Sequence, residues 1–180
     1  MDVGGGHAVR PAESADLVLL ADIEGAADQM FASVFGDVGW ASPQDGAERA
    51  AEPGFVLVAG DPAVGFAHVL YLDDSAHLQQ LAVHPAAMGQ GVGPALVEAA
   101  CAAASERGHR ALSLTTYADV PWNGPFYAAR GFQEVTDPAP YLQRQRAREH
   151  ADGYDAHGTR VAMIRPLTPV AAPPLTHAVN

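Results

Sequence analysis

Apolar residues in the first half of the chain form runs that turn residues interrupt at short intervals. The runs cover residues 55–59, 64–72 and 76–83, and they are separated by Gly60-Asp61-Pro62 and Asp73-Asp74-Ser75. Short apolar runs bounded by Gly, Pro and Asp are typical of β-hairpins. The pattern therefore predicts three consecutive strands that pair as hairpins.

The N-terminal part of the chain combines a short strand with two predicted helices. Residues 7–11 read as a strand, and either Ser14 or Asp16 can cap the helix that follows. Ser42-Pro43 predicts the start of a second helix, because proline fits the first turn of a helix. Residues 1–7 are expected to be flexible.

From residue 84 onward the pattern changes to strands that alternate with helices. An alanine-rich helix begins near Pro94 and stops before Gly108, a residue type favoured just after a helix end. This alternation after antiparallel hairpins predicts an α/β domain with a mixed sheet. The other predicted elements are strands over 111–116, 132–135 and 159–164, a short helix over 122–130 and a polar, Arg-rich segment over 138–157.

The composition is that of one acidic domain. The chain has 180 residues, of which 48% are hydrophobic, and a formal net charge of −11; all ten basic residues are arginine. Nucleic-acid-binding surfaces need stripes of basic residues, so we expect no nucleic-acid partner. The negative field favours a cationic substrate or partner weakly, and it also keeps the protein in solution.

The sequence lacks signals for a membrane or for secretion. No apolar run approaches the roughly 20 residues that a membrane-spanning helix needs, and the N-terminus has no signal-peptide pattern. The single cysteine, Cys101, cannot form an intramolecular disulfide and lies in an alanine run typical of a packed, inert thiol. We therefore expect a cytoplasmic protein that has no membrane partner.

A glycine-rich loop joins the predicted strand 76–83 to the alanine-rich helix. Gly89, Gly91 and Gly93 alternate with other residues just before that helix. Backbone N–H groups at a helix N-terminus can bind phosphate oxygens, and glycine lets an anion come close. The spacing does not fit a dinucleotide fingerprint, because Pro94 stands where the third glycine belongs, and no Gly-Lys-Ser/Thr of a P-loop follows. A tight turn without a ligand is the alternative.

Two segments of this region carry a recognisable combination of residues. Met88-Gly89-Gln90-Gly91-Val92-Gly93 matches the pattern Gln/Arg-x-x-Gly-x-Gly/Ala except at Met88, and residues 120–132 contain Asn, Phe-Tyr and Gly-Phe in order. Both segments resemble the GNAT superfamily of acyl-CoA-dependent N-acetyltransferases. The two motifs span about residues 76–135, and the hairpins extend the resemblance to residues 8–168.

The resemblance implies a fold, a domain and a cofactor site. The fold would be α/β (α+β) with a mixed, largely antiparallel central sheet flanked by helices, over residues 8–168, and residues 169–180 would form a C-terminal tail. Acetyl-CoA would be the co-substrate, without a metal, and its binding should survive the change at Met88 because the backbone donors remain. The implied cofactor-binding residues are Leu81, Ala82, Val83, Met88, Gly89, Gln90, Gly91, Val92, Gly93, Asn123 and Tyr127.

The chemistry of acetyl transfer to an amine needs a base and an acid. Tyr127 would face the cofactor's sulfur, and its phenol is the expected general acid for the leaving thiolate. Many family members carry a Glu on the strand at 76–83, and this chain has no carboxylate there. His77 is the expected base, because His77-Leu78-Gln79 resembles the His-x-His pair of arylalkylamine acetyltransferases. Strand alternation predicts that His77 and Gln79 share a face.

For the other polar residues the sequence allows a structural role as well as a functional one. His68 can line the acceptor pocket, as can Gln79, or it can be a hydrogen-bonded core residue. We expect His84 to be structural. The simplest reading of the run Arg144, Arg146, Arg148 with Glu149 is a solvated helix face. The eight histidines form no tight cluster with Cys that would suggest a metal site.

These observations predict an N-acetyltransferase that moves acetyl from acetyl-CoA to a primary amine of a small molecule or peptide. Use of another acyl-CoA or of an O-linked acceptor stays open. A catalytically inactive acyl-CoA-binding sensor or interaction module is the alternative of a different class. Acceptor specificity should come from residues 25–54 and 141–159. Whether the chain acts as a homodimer is not encoded in any motif.

Overall fold

The computed structural model describes residues 7–36, 39 and 41–168. Of the residues 1–7 that were expected to be flexible, 1–6 lie outside the described residues, as does the expected tail at 169–180. The strands are β1 (Val9–Pro11), β2 (Gly54–Ala59), β3 (Gly65–Leu72), β4 (Ser75–Val83), β5 (Ala111–Tyr117), β6 (Gln133–Glu134) and β7 (Arg160–Pro166). The α-helices are α1 (Ser14–Phe35), α2 (Gly46–Ala51), α3 (Val92–Glu106), α4 (Gly124–Ala128) and α5 (Pro140–Ala151), and 3₁₀ turns cover Pro85–Ala87 and Tyr154–His157.

The seven strands form one sheet in the order β1-β2-β3-β4-β5-β7-β6. Neighbours pair antiparallel except β4 and β5, which are parallel. Helix α3 provides the crossover that a parallel pair requires. The predicted α/β (α+β) fold, with a mixed and largely antiparallel sheet flanked by helices, is confirmed.

The hairpin between β3 and β4 follows directly from its turn residues. Asp73 and Asp74 have φ angles of 48° and 62°, and they link Leu72 to Ser75, which pair directly. A two-residue hairpin turn with two positive φ angles matches the twist of the strands, and Asp tolerates this backbone conformation better than most residues. The turn therefore fixes the register with which β4 enters the sheet.

The sheet opens between β4 and β5. These strands pair only at Ala76 with Leu112 and at His77 with Ser113, near the start of both. In β4 the register against β3 shifts so that Val69 pairs with Leu78 and His68 pairs with Gln80, which leaves Gln79 as an extra residue. Such a bulge bends the strand and increases its twist. The bend carries the second half of β4 away from β5 and leaves a cleft between them.

Two hydrophobic clusters cover the faces of the sheet. The larger one packs α3 on the central strands and includes Leu96, Val97, Leu112 and Leu114. Cys101 belongs to it, and burial raises the pKa of this thiol to about 11, as expected of an inert core cysteine. The second cluster packs α1 on β2 and β3.

Several predicted helix starts differ from the structure. Helix α1 begins at Ser14, and Asp16 stabilises its start from inside the first turn, where its Oδ2 accepts the Glu13 N–H at 2.8 Å. The helix predicted to start at Ser42-Pro43 begins at Gly46 instead, after Asp45 caps it. A Cβ on Gly46 would lie 2.0 Å from the carbonyl oxygen of Leu17, so contact with α1 decides where α2 begins.

Candidate active site

A cavity of about 1010 Å³ lies where β4 and β5 separate. Its walls come from the second half of β4, the glycine loop, α4, α1 and α5. Residues 25–54 contribute Asp28, Phe31 and Glu52 to the lining, and residues 141–159 contribute Glu149 and Tyr154. The two segments expected to determine acceptor specificity therefore both reach this cavity, although the sequence gives no local signal for it.

The glycine loop forms one end of the cavity. Gly89 and Gly91 line it with φ angles of 74° and 79°, and a Cβ at either position would meet no atom within 4 Å. Glycine is needed here for its positive φ and leaves the approach to the backbone open. Gly91 is the N-cap of α3, whose first N–H groups have no partner within the helix. The loop can therefore hold an anionic group.

The remaining residues of the glycine motif have distinct positions. Gly93 lies in α3, and a Cβ there would stand 3.5 Å from the ring of Phe126, in ordinary van der Waals contact with α4. Met88 is 38% exposed and lines the cavity. Gln90 is absent from the lining, because its Oε1 faces His7 Nε2 at 3.1 Å and its Nε2 donates to the Ala86 carbonyl at 3.0 Å. Leu81, Ala82, Val83 and Val92 line the cavity as well.

Asn123 is the N-cap of α4 and Tyr127 lies within this helix. Both residues line the cavity. The Tyr127 ring packs edge-on against Phe126 and Phe132, with centroids 5.1 and 5.7 Å away. Burial raises the pKa of Tyr127 above its ordinary value, so the phenol is protonated at neutral pH. Gly124 allows the turn into α4, since a Cβ would lie 2.4 Å from the Ala118 carbonyl oxygen.

His77 lies behind the cavity and does not line it. The side chain is 1% exposed, and its Nδ1 is 3.0 Å from the Ser113 hydroxyl. That hydroxyl donates its hydrogen to the Ala76 carbonyl at 3.1 Å, so it accepts from His77 Nδ1–H. Burial lowers the pKa of His77 to about 4, and the ring is neutral at pH 7.

The prediction that His77 and Gln79 share a face is wrong. Gln79 is exposed and lines the cavity, whereas His77 is buried. The bulge at Gln79 breaks the strand alternation on which the prediction depended. Gln145 Nε2 lies 3.4 Å from Gln79 Oε1, so α5 limits where this amide can point.

His68 is fully buried and does not line the cavity either. Its Nδ1 is 3.4 Å from Arg49 Nη1, and its Nε2 is 3.6 Å from Glu52 Oε2. Burial, and after it the charge of Arg49, lowers the pKa of His68 to about 4. His68 is the hydrogen-bonded core histidine that the sequence left open, and Glu52 in front of it reaches the cavity.

Glu149 contradicts the prediction of a solvated helix face. It is only 7% exposed, lines the cavity and accepts hydrogen bonds from Thr115, Arg146 and Arg160. Burial by itself would raise the pKa of Glu149, but the charge of Arg160 and these donors lower it below the ordinary value. Arg144 and Arg148 are exposed, and Arg148 also lines the cavity. Sequence reasoning missed this residue, because its partners on β5 and β7 are distant in sequence.

Residues 52–134, which contain β2 to β6, the glycine loop and α4, match the model of the acetyltransferase (GNAT) domain. The chain contains a GNAT acetyltransferase domain. The predicted family and enzyme class are confirmed for this domain: residues 52–134 form a GNAT acetyltransferase domain.

Solved structures share the fold across the chain at low sequence identity. The ribosomal-protein-S18-alanine N-acetyltransferase from Escherichia coli is 22% identical, with 94% of this chain and 98% of that one covered and a TM-score of 0.65. The PaiA N-acetyltransferase from Thermoplasma acidophilum, in complex with coenzyme A, is 14% identical, with 88% and 98% covered and a TM-score of 0.68. The N-acetylglutamate synthase from Neisseria gonorrhoeae, complexed with coenzyme A and N-acetyl-glutamate, is 21% identical. The match covers 89% of this chain and 35% of that one, with a TM-score of 0.63.

Other features of the GNAT chain are structural. His84 caps the 3₁₀ turn at Pro85, with its Nδ1 accepting the Ala86 N–H at 3.2 Å, as expected of a structural histidine.

Within residues 7–36, 39 and 41–168, no three His, Cys, Asp or Glu side chains are arranged to hold a metal. None of the helices described has the length and apolar character to cross a membrane.

Proposed function

We propose that this GNAT domain transfers the acetyl group of acetyl-CoA to a primary amine of a small molecule or peptide by direct attack. The observation that carries the proposal is one continuous cavity. It joins the open glycine loop at Gly89 and Gly91 to Tyr127, and continues to a wall that contains Asp28 and Glu52. An anion site for the cofactor and a proton donor for the leaving thiolate are elements that such a transfer requires, and the acidic wall favours an amine as the acceptor.

The glycine loop would hold the pyrophosphate of acetyl-CoA. Backbone N–H groups at the start of α3 supply the hydrogen bonds, and the positive end of the helix dipole favours the negative charge. The Met88 side chain contributes no such donor, so binding depends on the backbone. Asn123 would contact the pantetheine arm. The coenzyme A in two of the similar structures, from Thermoplasma acidophilum and Neisseria gonorrhoeae, supports this assignment.

Tyr127 would supply the proton or hydrogen bond that the leaving sulfur needs. The phenol stays protonated at neutral pH, because burial disfavours its charged form. The same dry surroundings disfavour a free thiolate, so donation by Tyr127 would stabilise the transition state more than the ground state. The aromatic contacts with Phe126 and Phe132 hold the hydroxyl in place.

The attacking amine must be neutral, and His77 does not lie where it can take the proton directly. We propose that Gln79 orients a water molecule that carries the proton away, because this amide lines the cavity at the bulge of β4. His77 would instead act as a positioning residue that fixes the opening between β4 and β5 through Ser113. The active site then needs no carboxylate on β4.

The test is release of coenzyme A thiol from acetyl-CoA in the presence of a panel of primary amines, with the products identified by mass spectrometry. Cys101 is the single cysteine and is buried, so the protein adds little background to a thiol assay. Turnover with an amine and a product heavier by one acetyl group would support the proposal. Tight binding of acetyl-CoA without turnover across the panel would favour an inactive binding module instead.

A further inference from the structure

Three carboxylates line the acceptor side of the cavity between α1 and the end of α2. Glu24 and Asp28 are four residues apart on α1 and therefore share a helix face, and Glu52 follows α2. Burial raises the pKa of both Glu24 and Asp28 above the ordinary values. These two carboxylates are therefore held where water solvates them poorly.

A chain of buried side chains connects two of these carboxylates. Arg49 is 4% exposed and donates to Glu24 through Nη2, while its Nη1 points to His68 Nδ1 at 3.4 Å. Arginine can only donate, so His68 Nδ1 must accept and the ring carries its hydrogen on Nε2. That Nε2 points to Glu52 Oε2 at 3.6 Å. Arg49 therefore fixes the direction of the Glu24 carboxylate, and His68 Nε2 faces the Glu52 carboxylate without a hydrogen bond.

The contacts from Glu24 through Arg49 and His68 to Glu52 end in two polar atoms that lack a partner. His68 Nε2 and Glu52 Oε2 are both buried without a hydrogen bond from any residue described. Their separation of 3.6 Å is longer than a good hydrogen bond. Buried polar atoms are normally paired, since an unpaired one has lost its hydrogen bonds to water without replacing them. Of the two atoms only Glu52 Oε2 is an acceptor, and a donor that enters the cavity beside Glu52 would give it a partner.

The charges of the cluster do not balance. The carboxylates of Glu24, Asp28 and Glu52 carry three negative charges when ionised, and Arg49 carries one positive charge, which leaves two negative charges around a neutral His68. The reacting nitrogen of the acceptor must be neutral to attack, so it cannot neutralise them. A second cationic group of the same substrate can.

We propose that Glu24, Asp28 and Glu52 form a subsite for a second positive charge on the acceptor, so that the preferred substrates are diamines or other amines with an additional cationic group. The inference rests on the proposed acetyl transfer to an amine at the same cavity. Phe31 and Trp122 line the cavity too, with ring centroids 6.3 Å apart. Their apolar faces suit the methylene chain between two amino groups.

The first experiment compares acceptors that differ only at the far end. Alkylamines, α,ω-diamines and ω-amino acids with three to six carbons are assayed with acetyl-CoA at pH 7.5. We expect kcat/KM to be highest for the diamines, by about 10-fold or more over alkylamines, and lowest for the amino acids, whose carboxylate the subsite repels. Most of the preference should persist in 0.5 M salt, because salt screens buried charge pairs less than exposed ones.

The second experiment removes the charges of the subsite one at a time. Glu52→Gln and Asp28→Asn keep the side-chain shape, and each should lower kcat/KM for the diamine about 10-fold while the alkylamine value changes little. Glu48→Gln is the matched control, because Glu48 lies on α2, is exposed and does not line the cavity. Thermal melting checks that each variant is folded, and acetyl-CoA affinity should be unchanged in all three.

The outcomes separate the subsite from the reaction. Acetylation of alkylamines and diamines with equal efficiency, or an undiminished diamine preference in both Glu52→Gln and Asp28→Asn, would overturn the subsite and leave the proposed function intact. Tight acetyl-CoA binding without turnover of any amine would overturn the proposed function and the subsite together. A diamine preference lost in both variants and kept in Glu48→Gln would support the proposal.

Discussion

The ring of His77 and the hydroxyl of Ser113 meet at 3.0 Å across β4 and β5, at the last pair of residues that joins these strands before they separate. Below this contact the sheet is continuous, and beyond it lies the cavity. A buried, neutral histidine thus occupies the branch point of the active-site cleft. This position explains why His77, which was expected to act as a base, is buried and hydrogen-bonded to Ser113 instead of lining the cavity.

The low pKa of His77 makes the stability of the protein depend on pH. Burial lowers this pKa to about 4 from an ordinary 6.5, so between these values the unfolded chain binds a proton that the native protein does not. Stability is therefore complete above pH 6.5 and falls as the pH drops towards 4. For His77 the loss at pH 5 should be roughly 2 kcal/mol relative to pH 7.5, measured by urea unfolding.

A substitution isolates the contribution of His77. In His77→Gln the amide can still donate to Ser113 but does not titrate, so the decrease between pH 7.5 and pH 5 should become smaller. His68 retains its own contribution, since its pKa is also lowered to about 4. An unchanged pH dependence in His77→Gln would show that the ring has the same pKa in the native protein as in the unfolded chain.

Gly91→Glu should weaken acetyl-CoA binding by about 100-fold or more, because it places a carboxylate where the pyrophosphate is expected. Gly108→Glu is the control: its φ is 87° against 79° at Gly91, and a Cβ at either position meets nothing within 4 Å. Gly108 does not line the cavity. Both variants carry similar backbone strain. The difference between their Kd values for acetyl-CoA, measured by calorimetry, therefore gives the effect of the carboxylate in the glycine loop. Equal Kd values would argue against the loop as the anion site.

Tyr127→Phe should lower kcat by about 10²-fold or more and leave acetyl-CoA affinity nearly unchanged, because only the proton-donating hydroxyl is lost. Tyr71→Phe is a suitable control, since Tyr71 lies on β3 outside the cavity lining. The defect should be smaller for an acyl donor whose leaving thiol is more acidic, because that thiolate needs its proton less. A defect of equal size with both donors would indicate that the hydroxyl only positions the substrate.

Glu149→Ala should destabilise the fold by about 3–5 kcal/mol, because Arg160, which is 9% exposed on its side chain, loses its buried carboxylate. Arg144→Ala is the comparison on the same helix. Its ion pair with Asp73 has exposed fractions of 53% and 64%, so the loss should stay within about 0.5 kcal/mol. Denaturant unfolding of both variants measures the difference. Similar small losses would restore the prediction of a solvated helix face.

The sequence by itself determined the local elements of this protein. The hairpin at Asp73-Asp74, the glycine loop at Gly89–Gly93 and the helix that stops before Gly108 each depend on residues within about one turn of each other. Backbone preferences of Asp and Gly act over that range, so these elements are readable without the fold. The resemblance to GNAT enzymes followed from the same local motifs.

The tertiary structure alone decided which polar residues meet in the cavity and which are buried. One extra residue in β4, Gln79, interrupts the strand alternation after His77 and bends the rest of the strand away from β5, so that Gln79 lines the cavity while His77 stays buried. Glu52, at the end of α2, faces His68 on β3, and Glu149 on α5 meets Thr115 on β5 and Arg160 on β7. Such contacts depend on register and packing between distant segments, and these follow from the free energy of the whole fold rather than from any local preference.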